Sequence, residues 1–261
     1  MKLATWNVNS IKVRLPGLID WLAQASPDVV CLQEIKCVDE AFPVDAIEAA
    51  GYKAFVHGQK TYNGVAILSR LPAEEMQRGL PGDEGDEQAR YLEVLVSPED
   101  APPLRLCGLY LPNGNPTDGP KYPYKLAWMD RLIARAKTLI ESEERFVLAG
   151  DFNVIPRAED VHDPAAWAED ALFRPETRAK FFALKHLGLT DAIEACHAKA
   201  GLFTFWDYQG GAWNRDHGIR IDHLLLSPQA SDGLVGAGID RDVRGWEKPS
   251  DHVPVWASLS A

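Results

Sequence analysis

The chain contains no run of about 18 or more consecutive apolar residues, so no segment is long and apolar enough to cross a bilayer as a helix. Its start, Met1-Lys2-Leu3-Ala4-Thr5-Trp6-Asn7, lacks the apolar stretch of a secretory signal. The expectation is a cytoplasmic protein that works without a membrane, a monomer by default. Cysteine is sparse. Cys31, Cys37, Cys107 and Cys196 include no CxxC pair, and Cys31 and Cys107 sit in apolar runs where a buried free thiol is the usual state. That usage points to a reducing compartment and away from a disulfide framework. Basic side chains are in deficit as well: 27 Lys and Arg stand against 38 Asp and Glu, for a formal net charge of -11. A protein that holds nucleic acid by bulk charge needs Lys and Arg to neutralise phosphates, so the balance argues against that class. It is compatible with a nuclease, because a carboxylate cluster built for a divalent cation is itself acidic and the ion brings positive charge that the count omits. Gly/Ser linkers and low-complexity segments are absent, and the 261 residues read as one domain, 1–261.

What the chain has in quantity is apolar residues, 46% of the total, arranged in short runs. Lys2–Trp6, Asp28–Leu32, Tyr52–His57, Gly64–Ser69, Arg90–Val96, Leu104–Tyr110, Arg145–Ala149, Ile219–Leu226 and Val253–Leu259 are rich in Val, Ile, Leu and aromatics, and Gly, Pro, Asn or Asp bound them, as in strands. Between some of them lie helical patterns. Leu15, Leu18, Ile19 and Leu22 share one face, with Pro16 tolerated in the first turn and Pro27 stopping the run. Leu126, Met129, Ile133, Ala136 and Ile140 are spaced for a helix packed on one side, and Thr177–Leu187 reads as a third helix. Many strands and few helices predict an α/β fold of sheets packed face to face with helices outside. The two best helices each precede a strand that ends in carboxylate chemistry, at Gln33-Glu34 and at Gly150-Asp151-Phe152-Asn153, which hints at a duplicated half.

Polar groups recur where strands end. Asn7 ends the first strand, Glu34 follows the second, Asp151 and Asn153 follow another, Asp222 interrupts an apolar run, and Asp251 and His252 precede the last strand. Each has an ordinary explanation. Asx after a strand is usually a turn or a cap, a lone Glu is usually a solvated loop acid, and Ser250-Asp251 can cap a turn. Asp222, between Ile221 and the Leu224–Leu226 run, resists that explanation. Burying these groups unpaired would cost several kcal/mol each. Burying them in one cleft makes sense if a cation neutralises them. Carboxylate and amide oxygens with a single imidazole select a hard ion, Mg²⁺ or Mn²⁺, over zinc, and such an ion suits phosphoryl chemistry.

In order, Trp6-Asn7-Val8-Asn9-Ser10, Leu32-Gln33-Glu34-Ile35-Lys36, Gly108-Leu109-Tyr110-Leu111-Pro112-Asn113-Gly114, Gly150-Asp151-Phe152-Asn153, Gly218-Ile219-Arg220-Ile221-Asp222 and Pro249-Ser250-Asp251-His252-Val253-Pro254 resemble the signature blocks of the exonuclease/endonuclease/phosphatase superfamily, and within it the exonuclease III branch of abasic-site endonucleases. The resemblance implies a four-layered α/β/β/α sandwich, two packed mixed sheets flanked by helices, with the site at one rim. It implies Glu34 as principal metal ligand, with Asn7, Asp151, Asn153, Asp251 and His252 around a Mg²⁺ for which Mn²⁺ substitutes. Asp151 would position or deprotonate the attacking water and Asn153 would orient it. Asp222 would pair with His252, which contacts the scissile phosphate, and Tyr110 would contact the phosphate or assist the leaving group. Arg90, Asn113 and Lys121 would meet DNA. Asn9 stands where some relatives carry an acid, Ser10 where glycine is common, and His223 where an apolar residue is usual.

Two aromatic-rich stretches, Phe203–Tyr208 and Gly210–His217, lie upstream of Asp222. A sugar without its base leaves a gap that an apolar wall suits, and Trp206 and Trp213 are read as that wall, with core packing as the alternative. Arg220 is read among the basic residues facing DNA. The acidic run Asp83-Glu84-Gly85-Asp86-Glu87 is read as a solvated loop turned away from it. The expected activity is incision of duplex DNA 5′ to abasic sites and removal of 3′ blocking groups or nucleotides. A soluble phosphatase of the same fold acting on a small phosphoester, and a DNA-binding module without catalysis, are the competing readings.

Overall fold

The structure, a computed structural model, describes residues 1–260. Twelve strands form two six-stranded sheets. The first is ordered β11-β12-β1-β2-β4-β3, from β1 (Lys2–Asn7), β2 (Val29–Gln33), β3 (Lys53–His57), β4 (Val65–Ser69), β11 (Leu234–Ile239) and β12 (Val255–Leu259). The second is β5-β6-β7-β8-β10-β9, from β5 (Ala73–Arg78), β6 (Tyr91–Val96), β7 (Leu104–Tyr110), β8 (Phe146–Asp151), β9 (Thr190–Asp191) and β10 (Asp222–Leu226). Each sheet has one central parallel pair, β1–β2 and β7–β8, with antiparallel partners on both sides. Parallel neighbours need a crossover. Helix α1 (Ile11–Ala25) supplies it in the first sheet, where the short α2 (Val44–Ala49) leads into β3; α3 (Lys121–Glu141) supplies it in the second. The repeated order of pair orientations and the matching crossovers accord with a duplicated half.

The sandwich expected from the sequence is present. Three apolar layers separate four layers of structure. Leu3, Cys31, Ile67, Leu106, Leu224 and Val255 interdigitate between the sheets. Trp6, Leu18, Trp21 and Leu22 seat α1 on the first sheet. Trp128, Met129, Leu132 and Phe181 seat α3 and α4 (Pro175–His186) on the second. With a sheet on one face and a helix on the other, β2, β8 and β10 are buried at every residue, which is why they read as unbroken apolar runs. All four cysteines are free thiols, three of them buried.

The structure differs from the sequence reading in several places, the unforeseen helix α2 among them. Helix α1 starts at Ile11, so Pro16 falls in the second turn and its missing N–H leaves the carbonyl of Lys12 without its intrahelical partner. The run from Ile219 enters the sheet only at Asp222, because Ile219 is held in isolated bridges to Val161 and Phe205. Strands β5, β9 and β11, unforeseen, are edge strands of the two sheets or, in β9, only 2 residues long.

Candidate active site

The parallel strands β1, β2, β7 and β8 end at one rim, where open α/β sheets offer a crevice for ligands. Register sets the ends side by side: Asn7 pairs with Gln33, Tyr110 with Asp151, and Asp222, at the start of antiparallel β10, also with Asp151. A Cβ on Gly150 would collide with the carbonyl oxygen of Leu109, so glycine lets β8 approach β7 closely just before Asp151. Just past the strands the chain bends sharply. Glu34 and Asn153 adopt left-handed backbone, with φ of 50° and 47°. That conformation costs roughly 1–2 kcal/mol for an L-residue. Ser10 N–H steadies the turn at Glu34 by donating to its carbonyl at 2.7 Å.

The side chains converge. Asn7 Nδ2 donates to Glu34 Oε1 at 2.9 Å and to Asp151 Oδ2 at 3.0 Å. Asp151 Oδ1 accepts the Asn153 backbone N–H at 2.9 Å. His252 Nδ1 lies 2.9 Å from Asp222 Oδ2, and Nε2 lies 3.7 Å from Asp151 Oδ2. Asp222 Oδ2 also accepts the buried Thr204 hydroxyl at 2.7 Å. The Trp6 indole N–H donates to the carbonyl of His252, and Ser250 Oγ donates to that of Asn7, tying the last loop to β1.

Burial pulls the His252 imidazole toward neutrality, but Asp222 and Asp151 outweigh it and raise its pKa. Burial pushes the Asp151 carboxyl up, with His252 opposing and Asp222 adding to the rise. For Glu34, burial is outweighed by the Lys36 ammonium at 2.8 Å and by Asn7, which hold the carboxyl below its usual value. Burial, Glu34 and Asp151 push the Tyr110 phenol well above its usual range, so it is a neutral donor.

Glu34, Asp151, Asp222 and Asp251 gather here with Lys36 and His252, and Asp170 and Asp207 line the same cavity, so acids outnumber bases at the site. Ligand atoms of Glu34, Asp151 and His252 lie within 4.8 Å of one another, a candidate metal site. Oxygen donors with net negative charge fit a hard divalent ion. Asn7 needs correction as a ligand: it presents its NH₂ to the carboxylates, while its Oδ1 accepts the Asn9 backbone N–H at 3.0 Å, so it orients the ligands. His252, protonated and held by Asp222, is a donor to an anion in this state.

A cavity of about 280 Å³ opens beside these groups. Trp167, Leu172, Phe205 and Ile219 form its apolar wall, and His162 and His217 stack in parallel at 4.6 Å. The wall expected from Trp206 and Trp213 is a correction. Trp206 is fully buried with Phe203, Ala212 and Val253, and Trp213 packs edge-on against it at 4.9 Å. Phe205, one residue earlier, points the other way, its ring 5.0 Å from that of His252.

Arg90, Asn113 and Lys121 line a second depression of about 440 Å³ that adjoins Tyr110. The Arg90 guanidinium lies 4.8 Å over the Tyr110 ring, and Asn113 Nδ2 donates to Asn153 Oδ1 at 3.1 Å. Arg220 is not on this surface. It is 2% exposed and bound to Asp160, Asp191 and Glu194, so its reading as a DNA contact is wrong. His223 belongs with it, taking the Arg220 Nη1 at 3.2 Å and placing Nε2 3.0 Å from the carbonyl of Val154. The acidic run is not freely solvated throughout: Asp86 is held by Arg131 at 2.7 Å and by the Tyr124 hydroxyl. Lys36, Thr204 and Phe205 were missed. All three lie within the stretches Leu32–Lys36 and Phe203–Tyr208, but nothing in the sequence fixed their direction.

Residues 4–252 match the Endonuclease/Exonuclease/phosphatase family, and the chain belongs to that family. Exodeoxyribonuclease III of Haemophilus influenzae is 33% identical over 99% of this chain and 100% of that protein. Among solved structures, an AP endonuclease from Archaeoglobus fulgidus superposes with a TM-score of 0.94 at 34% identity, covering 100% of both chains. A single-substitution form of the 3′ phosphatase NExo from Neisseria, bound to product DNA hairpin, superposes with a TM-score of 0.95 at 38% identity, again over 100% of both.

Proposed function

We propose that the protein is a Mg²⁺-dependent DNA repair phosphodiesterase of the exodeoxyribonuclease III type, incising duplex DNA 5′ to abasic sites and removing 3′ blocking groups or 3′ nucleotides. Mn²⁺ substitutes for Mg²⁺, and the protein works as a monomer in the cytoplasm. The observation that carries this reading is the junction of three surfaces: a carboxylate-rich rim, a cavity of about 280 Å³ with an apolar wall, and a depression lined by Arg90, Asn113 and Lys121. The cavity would take the base-less sugar, and the depression its flanking phosphates. The relatives named as an exodeoxyribonuclease, an AP endonuclease and a 3′ phosphatase support the same class.

Glu34 and Asp151 would hold the ion, with Asp251 at its edge. When bound, it would neutralise phosphate charge and stabilise the departing oxygen. Asp151, whose proton affinity burial raises, takes the proton of the attacking water, and Asn153 orients that water. The His252 imidazolium, held by Asp222, donates to a non-bridging oxygen as negative charge builds. Tyr110 donates its phenol proton's hydrogen bond to the phosphate or leaving oxygen.

The test is cleavage of a labelled duplex carrying one tetrahydrofuran abasic analogue, with Mg²⁺, with Mn²⁺ and with EDTA. Metal-dependent incision 5′ to the analogue is the expected result. Trimming from 3′ ends alone would remove the abasic role. No reaction on any DNA, with turnover of a small soluble phosphoester, would replace this reading by the phosphatase one.

A further inference from the structure

Lys125, on α3, is fully buried, and its ammonium forms no ion pair among the described residues. Its Nζ donates instead to two backbone carbonyls, those of Asn113 at 3.0 Å and Asn153 at 2.6 Å. Burial lowers its pKa to about 7, against the pull of Asp151 and Asp170. Packing alone does not explain a lysine here. A methionine has a similar volume and avoids the several kcal/mol of desolvation that an ionised buried side chain costs.

The two carbonyls belong to different loops, one after β7 and one after β8. The same two residues already meet through their side chains: Asn113 Nδ2 donates to Asn153 Oδ1, and Asn153 Nδ2 donates to the carbonyl of Leu111 at 2.9 Å. Asn153 also sits in left-handed backbone, a conformation that persists only when its surroundings hold it. The chain passes directly over the lysine stem, since a Cβ on Gly114 would lie 2.7 Å from Lys125 Cδ. Both protonation states of the amine carry at least two N–H groups, so the double contact survives titration.

We propose that Lys125 is a positioning residue that ties the two loops together, so that Asn113 and Asn153 address the same phosphate and the same water. This rests on the DNA phosphodiesterase reading. The residue itself touches neither substrate nor ion; it acts through the two asparagines.

The experiment compares wild type, Lys125→Met and Lys125→Gln on the tetrahydrofuran duplex with Mg²⁺, measuring kcat, KM and melting temperature. Misplacing a catalytic group by about 1 Å can cost about a hundredfold in rate, so Lys125→Met should lower kcat by about 10–100-fold. KM for DNA should stay within about threefold, because Arg90 and Lys121 are untouched, and the melting temperature should change little, because removal of a buried charge offsets the two carbonyls that lose their donor. Lys125→Gln, whose amide reaches one carbonyl, should lie between. A Lys125→Met protein within about twofold of wild-type kcat overturns the proposal, as does a kcat loss that only follows a loss of folded protein. If the methionine protein does not fold, Lys125→Gln decides: a kcat lowered by about threefold or more at unchanged KM supports the tie, and wild-type kcat overturns it. A wild-type protein that leaves all DNA intact removes the underlying reading, and this inference with it.

Discussion

Two buried clusters of charge lie within one strand's reach of each other, and they are built on opposite plans. Around Arg220, the carboxylates Asp160, Asp191 and Glu194 are met by Arg220, Arg157 and Lys185, with Glu159 beside Arg157 at the exposed edge. Every charge has an opposite neighbour. Around His252, the carboxylates Glu34, Asp151, Asp222 and Asp251 outnumber Lys36 and His252, with Asp170 and Asp207 also lining the cavity, and the surplus is negative. Both clusters draw on β10, through Asp222 in the strand and Arg220 just before it. A balanced buried network holds elements together and asks nothing of solvent. An unbalanced one stays unfavourable until something positive arrives, and here it lies at the mouth of a cavity. Charge balance, more than charge itself, separates structure from function in this molecule.

The contrast can be broken from either side. The strongest response should come from Asp151→Asn, which keeps the shape and removes the carboxylate. A positioned acid or base contributes about 10²–10⁴-fold, so kcat should drop by that factor under single-turnover conditions while the melting temperature holds or rises. A stability loss in step with activity would contradict the view that this cluster is built at a cost to the fold. Next is Arg220→Met. It strands Asp160 and Asp191 without their cation, and breaking such a buried pair costs about 3–5 kcal/mol, readable by urea unfolding. The salt dependence of DNA binding should not change. Lys121→Ala should do the converse, leaving stability intact and reducing the salt slope by about 1. Equal salt slopes for wild type and Lys121→Ala would take that lysine off the DNA path.

A smaller effect concerns acid. Burial pushes the Asp191 carboxyl up, but Arg220 and His223 more than reverse it and hold it below the usual carboxylate range. Because the folded value is depressed, its stabilisation is present above the unfolded pKa of about 3.9 and is lost as pH falls through the lower folded value. Asp191→Asn should therefore cost about 1–3 kcal/mol at neutral pH, and the gap to wild type should close as pH drops below about 4. Urea midpoints measured across that range would show a constant gap if the carboxylate were not what matters. Least affected should be the cavity wall. Phe205→Ala should lower kcat/KM on the abasic duplex by about tenfold, the worth of a partly buried aromatic, and Trp213→Ala should change it by less than about twofold. The reverse ranking would return the wall to the tryptophans.

Much of this was legible in the chain. Glu34, Asp151, Asp222 and His252 each follow, begin or precede an apolar run, and a strand end is a local property that spacing reveals. The central strands read clearly because they are covered on both faces. Strand β5, Ala-Glu-Glu-Met-Gln-Arg, did not, because its side chains are mostly exposed on an edge and carry no apolar signal. Strand β11 has two glycines and an irregular register at another edge.

The site's errors share one cause. Phe205 and Trp206 are adjacent and both aromatic, so composition cannot say which faces the cavity; pairing of Phe205 with Ile219 and His252 decides it. Arg220 sits in a motif beside Asp222 and reads as basic surface, yet its partners come from 60, 29 and 26 residues away. The sequence by itself determined the central strands, the main helices, their order, and the kinds of ligand atoms that end the strands, because those depend on neighbours a few residues apart. Only the tertiary structure decided which charges are neutralised, which aromatic ring lines the cavity, and what a buried lysine holds. Electrostatic and packing roles depend on what stands opposite a side chain, and in this fold that is set by residues distant along the chain.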